Sequence, residues 1–409
     1  MSDYEVSQIH VCRNCGSAHL QPYLTLPPMP LTDAFRKADQ AGDDFMHPIM
    51  IFLCEECGLS QILHNVSVNK YYEDYRYTSA ASKFFQTFMQ NLATEVWRRW
   101  DLATGDPVIE IGSGDGAQLK CFQELGARVL GFEPSAVLTE LSRQAGVPAL
   151  KQLYVPGSET DVPTDMRPAR VVLLTYTFDH LPEPTAFAKT VLPVLDPDRG
   201  LLVIEVHDLQ KILDRHEFCL FEHEHSVYCT AGTLQAMLDR AGYALVEVGL
   251  VPEAQRRANS LLVVATPKGS RFAVQALPPL DRGPYSDLES CRQFGREIEV
   301  SIAKLQAYVA DRRAKGLRVA GYGAGGRGVM TLAAMARPGE IAYVCDQNPS
   351  FHGYLTPGAR VPVVSAARLT EDLVDEVVVF SFGYFQEIWD SLADFRAKGG
   401  KVISLLDLL

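Results

Sequence analysis

The sequence has 409 residues, 47% hydrophobic and 22% charged, which is ordinary for globular protein and too long for one compact core. Its formal net charge of -12 argues against a general nucleic-acid binder, whose affinity comes from lysines and arginines neutralising phosphates, and no apolar run is long enough to span a bilayer. The start, Met1 to Val6, carries neither a basic cluster nor an apolar stretch, so a cytoplasmic location is expected, where nine cysteines point to metal binding rather than to disulfides.

Residues up to about Val66 are rich in proline, cysteine and short apolar runs, without a helical period. Cys12-Arg13-Asn14-Cys15-Gly16 and Cys54-Glu55-Glu56-Cys57-Gly58 are two turns of one design. In each, two thiolates grip one ion and the glycine relieves backbone crowding. Cys12, Cys15, Cys54 and Cys57 together fill a tetrahedral zinc shell with no open position, so the expected ion is structural. His10, His19 and His64 read as surface or packing residues of this unit. A tyrosine-rich segment from Tyr71 to Tyr77 then precedes a helix predicted over Ser82 to Trp100, where Phe84, Phe85, Phe88, Leu92, Val96 and Trp97 recur at helical spacing.

From Pro107 to about Thr266 β-branched runs alternate with helical segments, the plan of an α/β domain with a mostly parallel sheet. Strands are predicted at Val108–Ile111, Arg128–Phe132, Val171–Thr175, Leu201–Val206 and Leu261–Ala265. The first ends in Glu110-Ile111-Gly112-Ser113-Gly114-Asp115-Gly116, a glycine-rich turn that lets backbone approach a ligand at the carboxyl edge of a doubly wound sheet. The second ends in Glu133, placed to accept hydrogen bonds from both ribose hydroxyls of an adenosine. A glycine loop alone fits NAD as well.

Two further clusters carry titratable groups. Asp179-His180-Leu181-Pro182 follows the strand ending at Thr175, and Phe221-Glu222-His223-Glu224-His225-Ser226-Val227-Tyr228 follows the strand ending at Val206. A histidine tuned near neutrality can take a proton from carbon beside a carbonyl, with a carboxylate to orient it. The same run also fits a solvated loop, or a second metal site on which alternating residues converge.

Proline- and glycine-bearing sequence from Pro267 to Pro284 suggests a linker, followed by a long helix from about Ser286 to Lys315. A second α/β pattern has strands at Val319–Tyr322, Ile341–Cys345, Val377–Ser381 and Lys401–Leu405. Gly321-x-Gly323-x-x-Gly326 opens a helix and Asp346 follows the next strand, a dinucleotide-like arrangement that keeps an NAD-dependent oxidoreductase as a rival reading.

Taken in order, these motifs resemble the three-domain sugar C-methyltransferases of antibiotic deoxysugar pathways, which methylate nucleotide-linked 4-keto hexoses at carbon 3. The Glu-Ile-Gly-Ser-Gly-Asp-Gly loop is similar to the first motif of class I methyltransferases, His223-Glu224-His225 to the family's His-Glu-His segment, and Gly321-Tyr322-Gly323-Ala324 to its Gly-Tyr-Gly-Ala loop. The resemblance implies three α/β-rich parts: a zinc-binding domain over 1–70, a Rossmann-like class I methyltransferase domain over 71–266, and a C-terminal Rossmann-like domain over 267–409 that helps bind the acceptor. S-adenosylmethionine is implied at Glu110, Gly112, Gly114, Asp115 and Glu133. His225 is implied as the base, with Glu224 beside it, His180 and Glu222 also at the reacting centre, and Tyr77, Tyr228, Tyr322, Gly323 and Arg327 on a nucleotide sugar. The chain departs from the family pattern at Glu222, where tyrosine is common, at Arg256–Ser260, which replaces a glycine-rich stretch, and at Ser381–Phe385, which lacks a Trp-Asn pair.

Overall fold

The computed structural model describes residues 4–40, 42–67, 83–250, 260–335 and 337–409. Tyr71, Tyr72, Tyr75, Tyr77 and most of the Arg256–Ser260 departure lie outside the described residues.

The central sheet has seven strands in the order Tyr243–Leu250, Ser260–Pro267, Leu201–His207, Val171–Thr175, Pro107–Ile111, Arg128–Phe132 and Ala149–Leu150. All pairings are parallel except those of Ser260–Pro267, which runs against both neighbours. Near-continuous apolar runs make such strands because both faces are buried. Val171 and Leu173 face one core, with Phe88 and Leu92 of the helix Lys83–Arg99 and Trp100 just after it, while Val172 and Leu174 face the other. Class I methyltransferases share this architecture. The carboxyl ends of the three adjacent parallel strands bring Gly112, Tyr176 and His207 to one edge, where open α/β sheets bind ligands.

The N-terminal part is more regular than its sequence suggests. Leu20–Met29, His47–Cys54 and Ser60–Ile62 form an antiparallel sheet, and a fourth strand, Val227–Tyr228, arrives from the central part of the chain. Prolines at 22, 27, 28 and 48 and a register irregularity hid the first hairpin, because its apolar residues do not alternate cleanly. The stretch after Pro267 is likewise no free tether. Leu277 N–H donates to Leu245 O at 2.8 Å, and the Arg282 guanidinium donates to the Glu56 carbonyl at 3.3 Å.

The C-terminal sheet is wholly parallel, in the order Val363–Val364, Ile341–Cys345, Val319–Tyr322, Glu376–Val379 and Lys401–Ser404. It is preceded by the helix Leu288–Ala314, capped by the Asp287 carboxylate on Ser290 N–H at 2.9 Å. Phe294 and Ile298 of this helix share one core with Leu24 and Leu26 of the N-terminal sheet and with Phe218 and Phe221 of the central part. Among the described residues no helix is long and apolar enough to cross a membrane.

The four cysteine sulfurs lie within 4.8 Å of one another, with Cys12–Cys57 and Cys15–Cys54 each 3.6 Å apart. A zinc–sulfur bond of about 2.3 Å gives tetrahedral edges of about 3.8 Å, so the cluster fits the ion. Gly16 and Gly58 take φ of 75° and 73°, and their N–H groups donate back to the Cys12 and Cys54 carbonyls at 2.9 and 2.8 Å. Arg13, inside the first knuckle, donates to Ile62, His64 and Pro182 carbonyls at 3.0, 3.0 and 2.8 Å, tying the metal centre to the segment that carries Asp179 and His180. The double variant Cys54→Ser/Cys57→Ser is expected to lose the sulfur-to-metal charge-transfer bands of the cobalt-substituted protein and to unfold about 10 °C lower or more; calorimetry and visible absorption check both.

Candidate active site

The glycine turn is shaped by what surrounds it. Gly112, Gly114 and Gly116 have φ of 74°, 54° and 79°, a region that side-chain-bearing residues rarely adopt. A Cβ at Gly112 would collide with Thr177, and one at Gly116 would come within 2.5 Å of Ser142 Oγ, whereas Gly114 has nothing within 4 Å. Backbone therefore stays bare where a ligand approaches. Glu133 is 5% exposed, and its carboxylate accepts from Gly114 N–H at 2.9 Å and Ser135 N–H at 2.8 Å. Burial raises its pKa although these bonds oppose the shift.

Glu110 accepts from Thr175 Oγ1 at 2.8 Å, while its second oxygen, Oε2, is buried without a partner. Burial pushes this carboxyl up to about 8, and the nearby Asp115, Glu133 and Glu205 charges add to the rise. A cation favours the ionised form of this carboxyl, whose orphaned Oε2 then becomes an acceptor for it. These residues fit S-adenosylmethionine, which brings a sulfonium and an ammonium but no pyrophosphate.

One strand away, Tyr176 turns the chain with φ of 51°, strained for a residue with a side chain, and sends Phe178–His180 into a short 3-10 turn. Ser226 N–H donates to the Asp179 carbonyl at 2.8 Å, which joins the two sequence clusters. The His225 ring then lies 4.8 Å from His180 and 5.4 Å from His207, centroid to centroid. His207 Nδ1 lies 3.4 Å from Asp179 Oδ2. Sequence reading ended that strand at Val206 and passed over His207; its place at a strand's carboxyl end was the available signal.

His225 Nδ1 donates to the Leu220 carbonyl at 3.0 Å, which leaves Nε2 as the nitrogen with a lone pair. Burial alone would pull His225 down, but Asp179 and Glu222 outweigh it and hold the imidazole above its ordinary value. Burial instead takes His180 down to about 4 and His207 to about 3, so both are neutral near pH 7. Asp179 stays ionised, because its imidazole neighbours overcome the cost of burial.

The remaining residues of the run diverge. Glu224 Oε1 accepts from Thr32 N–H at 3.0 Å and Thr32 Oγ1 at 3.1 Å, so it anchors the loop to the N-terminal part, and a backbone carbonyl rather than this carboxylate orients His225. His223 turns the other way, to His64 and the Met29 carbonyl. Glu222 lies against Gly326, where a Cβ would meet its Oε1 at 2.5 Å, and burial pushes its carboxyl up to about 8. Tyr228, a sequence candidate for acceptor contact, has its hydroxyl bonded to both backbone groups of Glu222 at 3.2 Å. Tyr322, expected on the acceptor, is 3% exposed in the core of the C-terminal sheet.

The C-terminal loop nevertheless faces this centre through Arg327. Its guanidinium carbon lies 5.0 Å from the Phe382 ring centroid, its Nε is buried without a hydrogen bond, and its charge bears on both Glu222 and His207. Gly323, at φ of 98°, precedes Ala324, whose N–H donates to Asp346 Oδ2 at 2.7 Å. This repeats, in the second α/β unit, the bond between Gly114 and Glu133.

Three family models match the chain: a zinc binding domain over residues 12–72, a methyltransferase domain over 79–248 and a C-methyltransferase C-terminal domain over 281–406. C-methyltransferase NovU of Streptomyces niveus is 28% identical over 405 residues, covering 97% of this chain and 96% of that protein. An uncharacterized methyltransferase of Mycobacteroides abscessus is 26% identical over 133 residues, covering 31% of this chain and 51% of that protein. The crystal structure of magnesium protoporphyrin IX methyltransferase from Synechocystis with bound S-adenosylhomocysteine is 13% identical, covering 48% of this chain and 90% of that one with a TM-score of 0.36. With a four-thiolate zinc module, a carboxylate-lined methyltransferase loop and a matching C-terminal domain in that order, the chain is an S-adenosylmethionine-dependent C-methyltransferase, similar over nearly its whole length to NovU.

Proposed function

We propose that this methyltransferase alkylates carbon 3 of a nucleotide-linked 4-keto-deoxysugar in natural-product biosynthesis, with His225 as the base. The observation that carries the reading is the His225 hydrogen bond to Leu220 O, which makes Nδ1 the donor and leaves Nε2 as the nitrogen that takes up or gives a proton at the carboxyl edge of the sheet. The adjacent strand ends in the glycine turn at Gly112. When bound, S-adenosylmethionine supplies an electrophilic methyl group on a positively charged sulfur. Glu133 would hold the ribose hydroxyls, and Glu110 and Asp115 would hold the cationic end.

His225 Nε2 takes the proton from the carbon beside the ketone, and the resulting imidazolium is stabilised by the ionised Asp179. His180, held neutral, lines the same space and donates its N–H to the oxygen as it gains charge, while His207 gives its one N–H to Asp179 and keeps that carboxylate ionised beside His225. Arg327 and the amides of Gly325 and Gly326 face the sugar's phosphates, since those of Gly323 and Ala324 already donate to Cys345 O and Asp346, an assignment supported by the unpartnered Arg327 Nε. The second reading, a different small keto acceptor, is favoured by Glu222, whose carboxyl already lies against Gly326 where a phosphate would approach.

Incubation with methyl-labelled S-adenosylmethionine and a thymidine-diphosphate 4-keto-deoxyhexose, followed by mass spectrometry and carbon NMR, is expected to give one new carbon-bound methyl. Absence of transfer while the cofactor still binds would select the second reading. His225→Ala is expected to lower turnover by about a hundredfold or more and to abolish exchange of the acceptor's C-3 hydrogen with deuterated solvent. Retention of that exchange would remove His225 from the role of base. Glu133→Ala is expected to weaken S-adenosylmethionine binding roughly tenfold to a hundredfold, read by calorimetry, through loss of charge-assisted bonds to the ribose.

A further inference from the structure

His47, His64 and His223 meet in space from three separate places in the sequence. His47 opens one strand of the N-terminal sheet, His64 opens the strand His64–Val66, and His223 comes from the loop that leads to His225. One ring nitrogen from each lies within 4.8 Å of the others. His64 and His223 are 4% and 3% exposed, and His47 sits at the edge of the group, half-buried.

The hydrogen bonds define which nitrogens are available. His47 Nδ1 donates to the Pro48 carbonyl at 2.8 Å and His223 Nε2 donates to the Met29 carbonyl at 3.0 Å. Their other nitrogens, His47 Nε2 and His223 Nδ1, therefore carry lone pairs, and His64 Nε2 donates to His223 Nδ1 at 2.8 Å, so an ion bound there takes the place of that proton, which moves to His64 Nδ1. A metal-binding histidine usually donates its second N–H to a carbonyl in this way, which sets the tautomer and the ring direction. Phe45 packs edge-on against His223 at 5.2 Å and belongs to an apolar cluster with Leu31 and Val66. Among the described residues no carboxylate belongs to the ligand group.

We propose that His47, His64 and His223 bind a second divalent transition ion of the zinc type, distinct from the four-thiolate centre. Three imidazole nitrogens suit zinc, and leave one coordination position for water. A zinc–nitrogen bond of about 2.0–2.1 Å sets neighbouring nitrogens about 3.3 Å apart, so the His64–His223 pair opens by about half an ångström to admit the ion. The ion would pin the His223 end of the loop to two strands of the N-terminal part, two residues from His225. It acts on position and takes no part in proton transfer. The inference does not depend on which acceptor the enzyme uses.

Metal-replete full-length protein, freed of loose ion by gel filtration, is expected to hold two zinc equivalents per chain by mass spectrometry of metals. In cobalt-substituted protein one equivalent should show the intense sulfur-to-metal charge-transfer bands and the other only weak visible bands. His47→Gln removes the ligand at the edge of the cluster, and is expected to bind the second ion more than about tenfold more weakly while keeping the charge-transfer bands, which report that the protein remains folded. His64→Gln should do the same. A single equivalent in the wild type overturns the proposal. So does a second equivalent retained with unchanged affinity in His47→Gln, which would put the ion elsewhere, with Asp179, His207 and His225 as the other ligand group.

Discussion

The pairing of Val227 with Gln61 and Tyr228 with Ser60 is the contact on which the arrangement of the molecule depends. Through it, a short strand from the methyltransferase part completes the sheet of the zinc module, and the loop from Phe221 to Ser226 is stretched between two structural bodies. Backbone hydrogen bonds supply the join, and Ile62 N–H to Ser226 O at 3.2 Å continues it. The loop is a turn and not an extended strand, in which residues two apart would share a face, so His223 and His225 leave in different directions. The zinc is thus coupled to the candidate catalytic centre by a sheet, and a second time by Arg13 reaching Pro182.

Electrostatics divides the centre into two regions. Around the glycine turn, Glu110 and Glu133 are buried beside Asp115, so burial and their mutual repulsion raise both pKa values, and a sulfonium among them favours the ionised forms. Around His225, one ionised carboxylate faces three imidazoles, two of which burial keeps neutral. The two regions are separated by a single strand spacing, because the strands ending at Ile111 and Thr175 are hydrogen-bonded neighbours.

The central and C-terminal sheets were largely legible in the sequence: the strands Arg128–Phe132, Val171–Thr175, Val319–Tyr322 and Ile341–Cys345 have the predicted ends. Doubly buried strands announce themselves as apolar runs, and glycine turns mark their carboxyl ends. Legibility failed where pairing is irregular or distant. The proline-bearing Leu20–Met29 strand has no clean alternation, and Val227–Tyr228 is two residues long, so neither has a periodicity to read. The same limit applied to His207, Glu224 and Tyr322: their positions beside strands or loops were visible, but their partners are 28, 192 and about 25 residues away.

What the sequence determined by itself was chemistry that depends on local spacing: two CxxCG turns that commit four thiolates to zinc, a Gly-x-Gly-x-Gly turn after an apolar strand, and an acidic residue at the end of the next. Each of these works within one turn of backbone, so neighbours in sequence suffice. Only the tertiary structure decided which histidine meets which carboxylate, because side chains on different strands come together through sheet order and not through spacing. His225 faces His180 and His207, His223 meets His47 and His64, and Glu224 serves Thr32, although all three residues of the run lie within one short loop.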